Sequence, residues 1–312
     1  MPRNLKSTII LSAVVILFAG CGKKEGAIDH RQKIDYVTAI ENRYSGVENT
    51  LYYSTGEYTS EKWNWDGNEM YRIDYGGYNP YSENFYFDGR GRIMRTTVPA
   101  YRIRRDFFYD GRKLDKIECY VDDELFSNTS YLHGDGGLYE IVCTYYDTGE
   151  EKKKSVCPIA NPLYVILGHE ISDAVSQEIC RLSSSDKGSN SEVRYKLSWN
   201  DNNLTYIQCV TNEGTVDISI TYDDKRNPYR QLYGYRESDD ELFGFKMMSE
   251  NNILTIRMPY ENRGMTLFSY DYLYDGKYPS QRRLSYSYEI LNENTWDSVT
   301  VTFEKVENFY YQ

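Results

Sequence analysis

The chain has 312 residues, 40% of them hydrophobic and 27% charged, with 33 tyrosines and 3 histidines. That length and composition are ample for a packed core, which excludes wholesale disorder, and plentiful Tyr, Thr, Ile, Val, Phe and Trp beside scarce Ala and Leu exclude an all-helical bundle. Lys and Arg number 36 against 47 Asp and Glu, a net charge of −11; without residues 1–21, whose Arg3 and Lys6 carry +2, the remainder stands at −13, so phosphate backbones are repelled and nucleic acid is not an expected partner.

Residues 1–21 run from a basic stretch through an apolar segment, Ile9 to Phe18, to small residues that end in a cysteine. About ten apolar residues fall short of the roughly 20 that a membrane helix needs, and this order of basic, apolar and small residues reads as an export signal. Leu17-Phe18-Ala19-Gly20-Cys21 resembles a bacterial lipobox, with Phe18 where the pattern favours Leu. The resemblance implies cleavage before Cys21, acylation of its thiol, and a body held at a membrane by N-terminal lipid. Each buried CH₂ of such chains contributes about 0.8 kcal/mol. Residues 22–43 then form a tether, Gly22 to Ala27, and a short segment with a weak helical pattern around Asp29 to Tyr44. No second apolar stretch approaches 18 residues. The expected location is the cell envelope, on the periplasmic or the outer face of the outer membrane.

Residues 44–312 read as a single β-rich domain. Trp65-Asp66-Gly67, Phe87-Asp88-Gly89, Tyr109-Asp110-Gly111 and the degenerate Tyr131-Leu132-His133-Gly134 place an aromatic residue ahead of a turn at a constant spacing of 22 residues. Trp199-Asn200-Asp201, Tyr222-Asp223-Asp224 and Tyr274-Asp275-Gly276 continue the pattern more loosely. Asp-Gly supplies the positive φ of a tight hairpin, and 22 residues hold two strands and two turns, so the chain should meander antiparallel into a rolled or barrel-like sheet. Alternation agrees: Val193, Tyr195, Leu197 and Trp199 share one strand face, as do Val216, Ile218 and Ile220, then Leu284, Tyr286 and Tyr288, then Val299, Val301 and Phe303. The two halves, 44–156 and 192–306, are joined by a stretch of another period. Leu163, Leu167, Ile171, Ala174, Val175, Ile179 and Leu182 follow Asn161-Pro162 at helical intervals, which predicts one covering or plugging helix over 162–182 and a polar loop to Ser191.

Phe108-Tyr109-Asp110-Gly111-Arg112-Lys113-Leu114 resembles the YD-type hairpin repeat of bacterial surface proteins. The stretch from Leu197 to Ile207, followed by Ile220-Thr221-Tyr222-Asp223-Asp224-Lys225-Arg226-Asn227-Pro228-Tyr229, is similar to Bacteroides-type lipoproteins of domain of unknown function 4595. The resemblance implies a porin-like, rolled antiparallel sheet and an envelope location. It brings no catalytic or binding residues with it.

Few constellations suggest chemistry. His30, His133 and His169 are scattered, and His169 with Glu170 and Asp173 lacks a second His at helical spacing, so no metal or cofactor is expected. Beyond Cys21, the cysteines Cys119, Cys143, Cys157, Cys180 and Cys209 form no knuckle; they read as buried thiols, with Cys157–Cys180 the pairing that would bracket the helix. The acidic runs at Asp122, Asp223 and Asp239 sit at expected turns. Trp63, Trp65, Tyr71, Tyr75, Tyr78 and Tyr81 crowd one region and are the candidate aromatic binding surface, because such rings offer apolar area with a polar tip. The expected function is a non-catalytic binding or structural module for a glycan or an envelope protein. The alternative is a glycan-active hydrolase that uses paired carboxylates.

Overall fold

The computed structural model describes residues 33–45, 50–67, 69–77, 80–135, 137–146, 191–212, 214–231, 249–259, 265–291 and 298–312. All lie in the second of the chain's two compact units, Gln32–Gln312. The first strands are β1 (Ile34–Ser45), β2 (Thr50–Ser54), β3 (Tyr58–Asp66), β4 (Glu69–Tyr75), β5 (Tyr81–Phe87), β6 (Ile93–Val98), β7 (Ile103–Asp110), β8 (Lys113–Val121) and β9 (Glu124–Gly134). There follow β10 (Gly137–Tyr145), β11 (Ser191–Asn200), β12 (Asn203–Val210), β13 (Thr215–Arg226), β14 (Asn251–Pro259), β15 (Met265–Asp275), β16 (Tyr278–Leu291) and β17 (Ser298–Tyr311).

From β3 to β17 each strand pairs antiparallel with the next, and β17 returns to β1, with Val37 opposite Phe309 and Ser45 opposite Val301. β2 and β3 occupy successive stretches of the same edge of β1, so together they make one stave. The result is a closed antiparallel barrel of 16 staves, which leaves no long sheet edge to template aggregation. The expected meander of hairpins is thus present and closes on itself.

The barrel is apolar inside and polar outside. Along β11, Val193, Tyr195 and Leu197 are buried while Glu192, Arg194 and Lys196 are exposed; β13 buries Val216, Ile218 and Ile220 and exposes Asp217 and Ser219. Ile141, Cys143, Tyr195, Ile207, Ile218 and Ile256 are 0% exposed, so the lumen along β10 to β14 is filled. An open aqueous channel would wet these side chains. The outer wall carries Arg95, Arg104, Lys116, Arg194, Lys196 and Arg257. Strands such as β16 and β17, with 14 residues each, are long enough to cross a bilayer. The outward charges oppose crossing, because each Arg or Lys facing lipid at the midplane costs about 2–4 kcal/mol.

One local device recurs at every turn of the Asp-Gly end. The strand that leaves the turn carries one extra residue, a bulge, at Tyr71, Met94, Asp115, Tyr139, Thr205, Leu254 and Ser280, and β1 carries one at Asp35 where it pairs with β17. The carbonyl just before the bulge accepts a hydrogen bond from a ring on the neighbouring strand: Trp65 to Ile34 at 2.9 Å, Tyr109 to Ile93 at 2.5 Å, His133 to Leu114 at 2.8 Å, Trp199 to Leu138 at 2.6 Å. Tyr222 bonds Leu204 at 2.6 Å, Tyr272 bonds Ile253 at 2.9 Å and Tyr311 bonds Pro279 at 2.7 Å. Burial pushes the phenols of Tyr109, Tyr222, Tyr272 and Tyr311 up, so each stays protonated and donates. The repeat thus marks a girdle of rings on alternate staves: Trp65 and Tyr109 of the 22-residue series close the backbone gap that the adjacent bulge opens, His133 does so in place of Tyr131, and Phe87 holds the same place without a donor. Gly111, at φ +61°, takes the left-handed conformation that one of these turns requires.

Two expectations about helices meet different ends. The weak pattern around Asp29 to Tyr44 does not make a helix: Ile34–Ser45 is β1, where buried Val37 and Ala39 alternate with Thr38. The bulge between Ile34 and Tyr36 puts buried Ile34 and Val37 three residues apart, a strand irregularity that mimics helical spacing. The helix over 162–182, like the Cys157–Cys180 pairing, lies outside the described residues. β10 pairs directly with β11, so both strand-rich halves belong to one ring, which runs from Ile34 to Tyr311.

Candidate functional site

At the end opposite the Asp-Gly turns, half-buried tyrosines line the inner lip. Tyr75 and Tyr81 follow the inward parity of Ile73 and Glu83 and face each other across β4 and β5, stacked at 4.6 Å with 24° between planes. Tyr101, in the short 3-10 turn Pro99–Tyr101, presents its edge to Tyr81 at 5.3 Å. Just after β4, the Gly76 N–H donates to the Ser60 carbonyl at 2.9 Å, and a Cβ on Gly76 would lie 1.9 Å from the Thr59 oxygen. A second group stands on β16: Tyr286 and Tyr288 stack at 6.0 Å, and Tyr286 packs on Phe303 at 4.9 Å. Arg43 of β1 sits 6.0 Å from the Phe303 ring and 5.6 Å from that of Tyr53.

Deeper in the barrel, β16, β17 and β1 turn charged side chains inward. Arg282 Nε donates to Glu307 at 2.6 Å, and Arg282 Nη2 bonds the same carboxylate. Lys305 Nζ lies 3.4 Å from Glu307 and 4.0 Å from Glu41, and the Tyr58 hydroxyl donates to Glu41 at 2.6 Å. Burial opposes the charge on Arg282, but Glu307 outweighs it and holds the guanidinium protonated. The rings of Tyr229, Tyr270 and Phe309 surround that cation at 5.5, 5.7 and 5.8 Å. Tyr229 arrives from the β13–β14 connection, where Asn227 Oδ1 accepts from the Tyr229 N–H at 3.0 Å and turns the chain inward. Its ring reaches Trp63 at 5.6 Å and Phe309 at 6.0 Å, so the buried Asn227-Pro228-Tyr229 end of the Asp-Lys-Arg-Asn-Pro-Tyr segment packs into the barrel while Asp224 and Arg226 stay exposed.

The six aromatic residues singled out from the sequence do not share one surface. Trp63 is a core residue at 1% exposure, its Nε1 donating to Glu61 at 2.9 Å; Trp65 belongs to the girdle; Tyr71 is on the outer wall; Tyr78 lies outside the described residues. Tyr75 and Tyr81 come together at the lip, and Trp63 and Trp65 lie 6.2 Å apart inside the barrel. Tyr101, Tyr286 and Tyr288 were not singled out. Their signal was a tyrosine of inward parity at the strand end away from the Asp-Gly turn.

Other candidates resolve into structure. Asp122 and Asp123 form the β8–β9 turn at φ 53° and 63° and pair with Arg102 and Arg104. Asp223 accepts from the N–H groups of Lys225 and Asn252 and from Tyr274. Glu83 is held by Arg105 at 3.0 Å. Among the described residues no group of three or more His, Cys, Asp or Glu is placed to hold a metal ion. Cys119, Cys143 and Cys209 are free, buried thiols; burial raises all three, Cys143 to about 11. Thiolate is the reactive form, so these three should resist iodoacetamide at neutral pH in the native protein and react after denaturation, as peptide mass spectrometry would read. Labelling of the native protein at any of them would contradict the burial.

No family model matches the chain, and no curated protein does. Among solved structures the chain is similar to a porin-like protein from Bacteroides uniformis ATCC 8492, at 9% identity and a TM-score of 0.45, over 89% of this chain and 98% of that one.

Proposed function

We propose that this protein is a lipid-anchored envelope barrel that acts by binding and not by catalysis, with the tyrosine lip as its contact surface and a glycan as its ligand. The observation that carries the reading is the group of Tyr75, Tyr81 and Tyr101, half-buried and mutually packed at the mouth of a barrel with an apolar interior. Such rings offer flat apolar faces for sugar rings and hydroxyl tips for their polar edges, at little entropic cost because packing has already fixed them. The Leu17-to-Cys21 lipobox supports the anchor and, with it, the envelope compartment.

The test is a glycan and envelope-protein binding screen on the natively processed protein, with the N-terminus read by mass spectrometry. The joint change Tyr75→Ala and Tyr81→Ala should weaken the glycan bound by on the order of tenfold or more, since each ring contact contributes about 0.5–1.5 kcal/mol. Undiminished binding by that variant would remove the lip from the reading. Release of cleaved sugar would replace a binder with a hydrolase.

A further inference from the structure

The outer wall carries an apolar strip that the lip does not use. Tyr71, Tyr86, Met94 and Phe108 are 46%, 48%, 47% and 40% exposed and stand on four consecutive staves, β4 to β7. All lie next to the Asp-Gly end: Tyr71 and Met94 are bulge residues, Tyr86 is opposite Arg95, and Phe108 is opposite Lys116. Among the described residues elsewhere at that height, Tyr139 on β10 and Leu273 on β15 stand singly, and Tyr310 on β17 stacks on Tyr36 of β1 at 4.3 Å as a smaller pair.

The charge around the strip differs from that of the whole body. The β5–β6 and β7–β8 tips bear Arg90, Arg92, Arg112 and Lys113, and the Lys116 ammonium lies 4.4 Å from the Phe108 ring. Within these two tips four cations stand against Asp88 and Asp110, while the β3–β4 tip beside Tyr71 carries Asp66 and Glu69, on a chain whose residues beyond 21 sum to −13. Aromatic rings interleaved with Arg and Lys suit the layer where lipid headgroups meet acyl chains.

The chain enters the barrel at this same end. Lys33 precedes β1 and bonds the Gly67 carbonyl in the β3–β4 turn. One stave separates β1 from β4, and at about 4.8 Å per strand β4 to β7 stand roughly 10–24 Å from β1. The eleven residues between Cys21 and Lys33 span at most about 40 Å. A lipid on Cys21 would therefore keep the strip within reach of its own bilayer.

We propose that Tyr71, Tyr86, Met94 and Phe108, flanked by the basic β5–β6 and β7–β8 tips, form a second membrane contact that seats the barrel on anionic phospholipid headgroups. The contact rests on the lipid-anchor reading. It turns a loose tether into a fixed orientation with the tyrosine lip directed away from the membrane.

The natively processed full chain, reconstituted in vesicles of phosphatidylethanolamine and phosphatidylglycerol, tests this by lysine acetylation read by mass spectrometry. Lys113 should react several-fold more slowly than in the variant carrying Tyr86→Ser, Met94→Ser and Phe108→Ser, while Lys196 on β11 reacts equally in both. High salt should also speed Lys113 in the unmodified sequence, a measurement that needs no variant. If neither the substitutions nor salt changes the Lys113 rate, the contact is overturned. The N-terminal peptide in the same spectra separates the two ideas. Acylated Cys21 with a fast Lys113 removes the contact and leaves the anchor. Unmodified Cys21 removes the anchor, and the Lys113 rates then decide the contact alone.

Discussion

Glu307→Gln should lower the stability of the barrel by about 3–5 kcal/mol, more than any substitution on the outer wall. The Glu307 side chain is 3% exposed and neutralises two inward cations, Arg282 and Lys305. An amide keeps the shape but withdraws the charge. Arg282 then stays buried among Tyr229, Tyr270 and Phe309 without its carboxylate, and Lys305 retains Glu41 at 4.0 Å. Arg282→Met should cost less, because Glu307 keeps Lys305 at 3.4 Å. The double variant should cost less than the sum of the two, since removing both members of a buried pair strands no charge. Denaturant midpoints of the three variants check this order. Additive losses, or a Glu307→Gln protein as stable as the parent, would show that the pair contributes nothing.

The same residues mark how far the sequence could be read. Lys305 and Glu307 continue the parity of Val301 and Phe303, so their inward direction was written in the alternation. What balances them was not, because Arg282 lies across a ladder and Glu41 belongs to the other end of the chain. Closure was hidden for the same reason: β1 and β17 meet across almost the whole sequence, and no local pattern announces a pairing of that span. The hairpins were legible because their signal is local, an aromatic residue and a positive-φ turn every two staves. The crowding of aromatic residues over 63–81 misled. It made Trp63 and Trp65 read as one surface with Tyr75 and Tyr81, whereas all four share inward parity and their height along the barrel separates them: Trp63 lies in the core beside Trp65 of the girdle, and Tyr75 and Tyr81 line the lip. A composition rich in tyrosine cannot tell a ring that closes a backbone gap from one that waits for a ligand; only the hydrogen bond at its tip does.

That distinction yields a paired prediction about the girdle. Tyr222→Phe should cost about 1–3 kcal/mol, because the Leu204 carbonyl loses its donor and Ser249 Oγ, which donates to the Tyr222 hydroxyl at 2.8 Å, loses its acceptor. The converse change should stabilise. Phe87 stands where its counterparts Tyr109 and Trp199 stand, and the carbonyl it faces by that analogy belongs to Met70, just before the Tyr71 bulge. A phenylalanine has nothing to donate there. Phe87→Tyr places a hydroxyl at the equivalent site and should add about 0.5–1.5 kcal/mol, the net contribution of one such bond. Urea unfolding of both variants at equal protein concentration reads the two shifts. Opposite signs are required if the rings hold the bulged backbone. Should Phe87→Tyr destabilise the barrel while Tyr222→Phe leaves it unchanged, the girdle is packing alone and the bonds at its tips are incidental.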